Sequence, residues 1–270
     1  MRHPYFDLPL PLVIGHRGAA GEAPENTLLS FERALALGAG ILESDVHLTR
    51  DGVPVLLHDA RLERTTDGRG PVGELTLAAL RRLDAGHRFS PDGGRSFPFR
   101  GRGLRVPTLA EAFQAFPGAR FNLELKEGGA ALAEAAVALV REAEREPTTL
   151  LTAGEDGMME ALRAELARSG AAPALGASTG DVLRFVRAAL QGLAPPPEPV
   201  ALQIPAEFAG RPLVSRELVA FAHAHEVQIH VWTVNEPDEM AALLDLGVDG
   251  LVTDFPGRLV ALLGERAARP

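Results

Sequence analysis

Ile41-Leu42-Glu43-Ser44-Asp45-Val46 and Phe121-Asn122-Leu123-Glu124-Leu125-Lys126 read as two β-strands, each with one apolar and one polar face. Side chains alternate across a strand. Glu43 and Asp45 therefore share a face, with Leu42, Ser44 and Val46 on the other. Asn122, Glu124 and Lys126 likewise lie opposite Phe121, Leu123 and Leu125, which are suited to packing against helices. Barrel interiors are normally filled by branched apolar groups, so inward acids and a lysine require a chemical explanation. Both sets fall near strand C-terminal ends, where α/β-barrel enzymes carry their active sites.

Outward from these stretches, short β-branched runs alternate with amphipathic ones, the mark of a parallel sheet with crossover helices. Strands are expected at 12–15, 41–46, 121–126, 149–152, 174–177, 200–204, 227–233 and 250–253. Helices fit between them at Thr27–Leu37, Ala130–Glu144, Met158–Arg168, Val182–Leu193, Arg216–His225 and Asp238–Leu246. Eight parallel strands are the number that closes an α/β structure of the TIM (β/α)8 barrel type, here expected as one domain over residues 1–270. Asp51-Gly52, between alternating apolar residues, predicts a β-hairpin after the second strand. A two-residue loop would pair Arg50 with Val53, Leu48 with Val55 and Asp45 with His58. The Gly- and Arg-rich stretch at about 60–106 predicts a small insertion at the barrel mouth, with one helix near Leu77–Leu83.

Composition narrows the chemistry. The chain has 36 acidic and 27 basic residues, a net charge of −9 and a pI of about 5.4. That balance argues against nucleic acid as a partner, because phosphate backbones are gripped by Lys and Arg. No cysteine is present, which excludes disulfides, thiolate catalysis and Cys-ligated zinc. The apolar stretch Leu8–Ile14 is broken by Pro9 and Pro11, and no segment reaches the ~20 residues of a bilayer span. A cytoplasmic protein without stable membrane insertion is expected; the oligomeric state is left open.

Of the 27 basic residues only Lys126 is a lysine. In so Arg-biased a chain, position 126 reads either as a site needing a compact ammonium or as chance retention. Glu43, Asp45 and Glu124 on converging faces would repel one another unless a cation sat among them. Oxygen-only ligands favour Mg²⁺ or Ca²⁺; the bland alternative is that these acids only pair with Lys126 or an Arg. His16 and His58 both fall near this cluster, and two histidines can remove one proton and deliver another near neutral pH. His47 reads as a surface residue and His230 as a hydrogen-bonded core histidine.

Taken in order, Gly15-His16-Arg17-Gly18, Pro24-Glu25-Asn26-Thr27, Glu43-Ser44-Asp45, Thr49-Arg50-Asp51-Gly52, His58-Asp59, Arg64-Thr65-Thr66, Asn122-Leu123-Glu124-Leu125-Lys126, Val231-Trp232-Thr233-Val234-Asn235 and Thr253-Asp254 resemble the glycerophosphodiester phosphodiesterase family. The resemblance runs from residue 15 to 254. It implies that Glu43, Asp45 and Glu124 bind a divalent ion, that His16 and His58 are the acid/base pair, and that Arg17 and Lys126 hold phosphate oxygens. Trp232, the only tryptophan, would pack beside the substrate, or else in the core. Glu25 and Asn26 would either start a helix or orient His16 and Arg17.

One stretch departs from the family: where it often carries a Ser-Phe pair after the fourth strand, this chain reads Leu151-Thr152-Ala153-Gly154-Glu155. That leaves open how the substrate's organic group is contacted. The expected activity is hydrolysis of small glycerophosphodiesters, such as glycerophosphocholine or glycerophosphoethanolamine, to an alcohol and glycerol 3-phosphate. A second reading keeps the mechanism and changes the substrate to lysophospholipids, which would need an apolar trough that the polar insertion does not announce. A non-catalytic phosphate-ligand sensor is the third.

Overall fold

The computed structural model describes residues 3–268. Its first half runs β1 (Leu12–Gly15), α1 (Leu28–Ala36), β2 (Ile41–Leu48), β3 (Pro54–Leu56), α2 (Leu77–Leu80), α3 (Leu109–Ala115), β4 (Arg120–Leu125) and α4 (Gly129–Glu142). Then follow β5 (Thr149–Thr152), α5 (Asp156–Ser169), β6 (Ala174–Leu175), α6 (Thr179–Gln191) and β7 (Ala201–Pro205). The chain ends with β8 (Glu207–Phe208), β9 (Arg211–Pro212), α7 (Arg216–Ala224), β10 (Gln228–Trp232), α8 (Pro237–Leu246), β11 (Gly250–Thr253) and α9 (Pro256–Ala267).

Eight strands form a parallel sheet in the order β6-β5-β4-β2-β1-β11-β10-β7. The gap between the two end strands is bridged where Val200 N–H donates to Leu175 O at 3.0 Å, so the barrel nearly closes. All eight expected strands are present, with β2 extended into the hairpin and β6 shorter than expected. Helix starts follow local side-chain chemistry. Thr27 caps α1, while Ser178 and Asp181 form a reciprocal capping box on α6.

The alternation read in the sequence becomes two layers. Leu42, Val46, Phe121, Leu123, Leu151 and Leu202 face outward into the main core against the helices. Leu12, Ile14, Ile41, Leu150 and Val252 fill the barrel's lower interior, sealed from below by Tyr5 and Phe6. One strand face therefore changes character along its length: Ile41 is in the apolar plug, and Glu43 and Asp45 above it are at the mouth. The parallel register aligns Glu43 with Asn122 and Asp45 with Glu124.

The hairpin differs from expectation by one residue. Val46 pairs with Leu56, His47 with Val55 and Leu48 with Pro54, around a three-residue loop, Arg50-Asp51-Gly52. Gly52 takes φ +79°, as the last position of such a loop requires. Asp51 accepts from the Thr49 hydroxyl at 2.7 Å and from Leu77 N–H at 2.9 Å, which favours the longer loop. Asp45 O accordingly receives Leu57 N–H at 3.0 Å, and His58 is not its partner. A one-residue slip would turn a strand side chain to the other face, but β3 stops at Leu56, so His58 is free of the ladder. The insertion forms its own small core around Leu62, Val72, Leu80 and Val106, packed against Val55 and Leu57, and its helix is the single turn α2.

Candidate active site

A pocket of about 360 Å³ opens at the C-terminal ends of the strands. His16, Arg17, Glu43, Asp45, His58, Glu124, Lys126 and Trp232 all line it, so the fold gathers every expected site residue in one place. Strands β2 and β4 supply the acids and the lysine; the turn after β1 supplies His16 and Arg17. That turn packs tightly: Gly18 has φ +89°, and a Cβ there would collide with Ser30 of α1 at 2.4 Å. Gly18 thus serves the close approach of turn to helix.

Charges alternate through the pocket. Lys126 Nζ lies 2.9 Å from Asp45 Oδ1 and 2.7 Å from Glu124 Oε2. Arg17 Nε stands 3.4 Å from Asp45 Oδ2, and its Nη1 donates to Glu25 Oε1 at 2.9 Å. Burial works against the charge on Lys126, but Asp45 and Glu124 outweigh it and raise its pKa. Burial likewise works against the Asp45 carboxylate, but Lys126 and Arg17 hold its pKa below the usual range.

Glu43 is less well compensated. Its Oε2 accepts the Arg17 backbone N–H at 2.9 Å, yet burial and then the neighbouring Asp45 push its pKa up to about 7. Asn122 Oδ1, also in the pocket lining, is buried without a hydrogen-bond partner. A hard divalent cation fits this all-oxygen donor set and would relieve both the crowded carboxylates and the orphaned oxygen. Among the described residues, however, no group of three His, Cys, Asp or Glu side chains is arranged to hold a metal ion. The Lys126 ammonium stands between Asp45 and Glu124, and must yield for those carboxylates to converge on another cation.

Each histidine is held by a carboxylate. His16 Nδ1 is 2.7 Å from Asp254 Oδ1, and His58 Nδ1 is 2.6 Å from Asp59 Oδ1. Asp254 is itself fixed by Asn235, whose Nδ2 donates to Asp254 Oδ2 at 2.7 Å. With Nδ1 engaged, Nε2 is the nitrogen left to exchange a proton with a ligand. Burial lowers the His16 pKa, but the Asp254 hydrogen bond and the Glu43 charge overcome it, and the net shift is upward. Asp59 is drawn down to about 2: burial opposes this, but hydrogen bonds from Arg64 and His58 prevail.

Residues 16–258 match the glycerophosphoryl diester phosphodiesterase family model. The chain belongs to this family. It is 32% identical over 260 residues to a glycerophosphodiester phosphodiesterase of Caldanaerobacter subterraneus, covering 93% of this chain and 97% of that one. A phosphodiesterase of Oleispira antarctica, solved with the product sn-glycerol-3-phosphate, superposes with a TM-score of 0.76 at 27% identity, covering 94% of this chain and 97% of the other. A glycerophosphodiester phosphodiesterase structure from Agrobacterium tumefaciens gives 0.72 at 26% identity, covering 92% and 98%.

Several residues of the family motifs have contacts that strand periodicity did not reveal. Asp59, Asp254, Asn235 and Arg64 were visible only as matched letters; a carboxylate following a histidine, as in His58-Asp59, was the available signal. Glu25 and Asn26 orient the site, since Glu25 joins Arg17 to Arg64, and Asn26 Nδ2 donates to Asp45 Oδ2 at 3.2 Å. The cap of α1 is Thr27 instead. Trp232 is 45% exposed at the mouth and not in the core. His47, on the Asp45 side of β2 but higher on the hairpin, is buried, contrary to the surface assignment, because the chain at His58 lies against it: its Nε2 contacts His58 O at 3.1 Å. His230 is fully buried and bonded to Gln228, as expected. Among the described residues no helix is long and apolar enough to cross a membrane.

Proposed function

We propose that this protein hydrolyses glycerophosphodiesters to an alcohol and glycerol 3-phosphate with the help of a divalent ion, Mg²⁺ or Ca²⁺, held by Glu43, Asp45 and Glu124. The observation that carries this reading is the pair of carboxylate-held histidines, His16 with Asp254 and His58 with Asp59, lining one pocket with three acids and two cations. Two such imidazoles match the two proton transfers of the reaction. One takes a proton from the attacking water, and the other gives a proton to the departing alkoxide at its Nε2. The ion, when bound, would neutralise phosphate charge and polarise the water.

Arg17 and Lys126 supply fixed positive charge for the phosphate oxygens, on which negative charge accumulates during attack. Lys126 is suited to this once its two carboxylates turn to the ion, because an ammonium on a flexible stem can change partners. The Asn235–Asp254 and Arg64–Asp59 contacts hold the acids that orient the histidines. The test is release of glycerol phosphate from glycerophosphocholine and glycerophosphoethanolamine after chelation, and again with Mg²⁺ or Ca²⁺ restored. Full activity in the chelated, metal-free protein would rule out the ion's role; no release under any condition would rule out the reaction.

A further inference from the structure

The Arg-rich insertion carries charge that the site does not explain. Residues 60–106 hold ten arginines and five acids, a formal charge of +5, while the rest of the chain holds 17 basic and 31 acidic residues, a charge of −14. The acids of the insertion are turned onto its own backbone. Asp84 accepts from Gly86 and Gly101 N–H at 2.9 and 2.7 Å, Asp67 from Asp84 N–H at 2.8 Å, and Asp92 from Arg95 and Ser96 N–H at 3.0 and 2.9 Å. The arginines are left outside. Arg69, Arg82, Arg88, Arg95, Arg102 and Arg105 are exposed, and among the described residues none of them has a carboxylate within ion-pair distance.

On the barrel the pattern is reversed: Arg33, Arg163, Arg168, Arg184, Arg258 and Arg266 each face a carboxylate. Pairing of that kind cancels a cation's field at short range, and without it the insertion presents a positive field to one side of the mouth. Its place is set by Arg64, which donates to Glu25 and Asp59. A cleft of about 110 Å³ adjoins this contact, where Arg88 and Phe89 meet Pro24 and Glu25 of the turn after β1. The same turn carries His16 and Arg17. Within the pocket the balance runs the other way, since Glu43, Asp45 and Glu124 outnumber Arg17 and Lys126.

We propose that the insertion is an electrostatic entry surface for the anionic phosphodiester, drawing it to the mouth over the unpaired arginines and against the field of the acidic barrel. The proposal rests on the hydrolase reading above for the identity of the anion, and it concerns capture, not the chemical step. Guanidinium groups in open solvent attract an anion through the field they make together. That field reaches about 30 Å at 10 mM salt and about 8 Å at 150 mM. A diester with a single uncompensated negative charge feels it fully. Glycerophosphocholine, whose trimethylammonium balances the phosphate, feels little of it.

Metal-supplemented enzyme is assayed with glycerophosphocholine and with the diester of glycerol phosphate and ethanol, from about 10 to about 300 mM salt. Across that range kcat/KM should fall by about tenfold for the ethanol diester and by less than about twofold for glycerophosphocholine. Arg88→Gln, Arg102→Gln and Arg105→Gln together should lower the low-salt value for the ethanol diester by about fivefold and flatten its salt dependence, with glycerophosphocholine within about twofold of the parent. The same charge loss at Arg141, Arg168 and Arg266, in the last turns of α4, α5 and α9 at the opposite end of the barrel, should leave both diesters near the parent. Isothermal titration with glycerol 3-phosphate at the two salt extremes, on the parent and both triple variants, follows capture without turnover. The same salt dependence for both diesters, or equal losses in the two triple variants, overturns the entry surface and leaves the hydrolase reading intact. No turnover of either diester overturns the hydrolase reading, and the titration then still decides: an affinity for glycerol 3-phosphate that neither salt nor the insertion variant changes removes the entry surface as well.

Discussion

Arg64 and Glu25 share two hydrogen bonds, Nη1 to Oε2 at 2.5 Å and Nη2 to Oε1 at 2.7 Å, across 39 residues of sequence. The same guanidinium donates from Nε to Asp59 Oδ2 at 2.6 Å. It therefore ties the carboxylate behind His58 to the carboxylate beside Arg17, joining the insertion to the turn after β1. Burial works against the Glu25 carboxylate, but Arg64 and Arg17 keep its pKa below the ordinary range.

This gives Arg64 a positioning role. Arg64→Ala should lower kcat/KM by about tenfold to a hundredfold, and Arg64→Lys should recover little, because an ammonium cannot reproduce the paired contacts that the guanidinium makes to both oxygens of Glu25 and of Asp59. Thermal unfolding should change little, since the side chain is half exposed. Steady-state kinetics beside a melting curve test this; full recovery in Arg64→Lys would mean that charge alone matters.

Lys126 lies in contact with Asp45 and Glu124. Lys126→Arg should cost at least about tenfold in kcat/KM, of order ~1.4 kcal/mol in the barrier, because the larger fork stays with the carboxylates. Lys126→Ala should cost more. Ion affinity in Lys126→Ala should stay the same or rise, since a competing cation has left both acids. Kinetics and ion titration check the two halves independently; an Arg variant as active as the parent would make the single lysine an accident of composition.

Removing the carboxylates behind the histidines should separate orientation from charge. Asp254→Asn and Asp59→Asn should each cost about tenfold to a thousandfold, because an amide can accept or donate and no longer selects one imidazole tautomer. The Asp254 hydrogen bond helps to raise the His16 pKa, so Asp254→Asn should move the limb of the pH–rate profile governed by His16 to lower pH. An unmoved profile would show that His16 does not govern either limb.

In the first turn of α6, Asp181 is buried and accepts from Arg163 at 2.7 Å, Arg184 at 2.6 Å and Ser178 N–H at 3.0 Å. Burial opposes its charge, but the Ser178 N–H and the two arginines hold its pKa below the usual carboxylate value. A depressed folded-state pKa gives stability that is present above the unfolded value, about 3.9, and lost as pH falls through the folded one. Asp181→Asn should therefore lower Tm at pH 7, by roughly 2–3 kcal/mol of stability, and the two proteins should converge as pH falls through the depressed folded-state value of Asp181. Melting curves across pH would show a constant difference if Asp181 contributed only shape.

Alternation along Ile41–Val46 and Phe121–Lys126 was enough to place Glu43, Asp45, Glu124 and Lys126 on inward faces, because a strand's period is a local property of the backbone. The order of strands and helices was legible for the same reason, and the motifs located His16, His58, Arg17 and Trp232. Other features depended on contacts between distant parts of the chain. The hairpin register turned on Asp51 meeting Leu77 N–H. The burial of His47 followed from the chain at His58 lying against it. Asp254 reaches His16 across 238 residues of sequence, and Arg64 reaches Glu25 only because the insertion folds back over the mouth. Val182 and Val186 fall on an expected helix, and only the placement of α6 beside β7 and the β8–β9 hairpin leaves them lining open space next to Glu124.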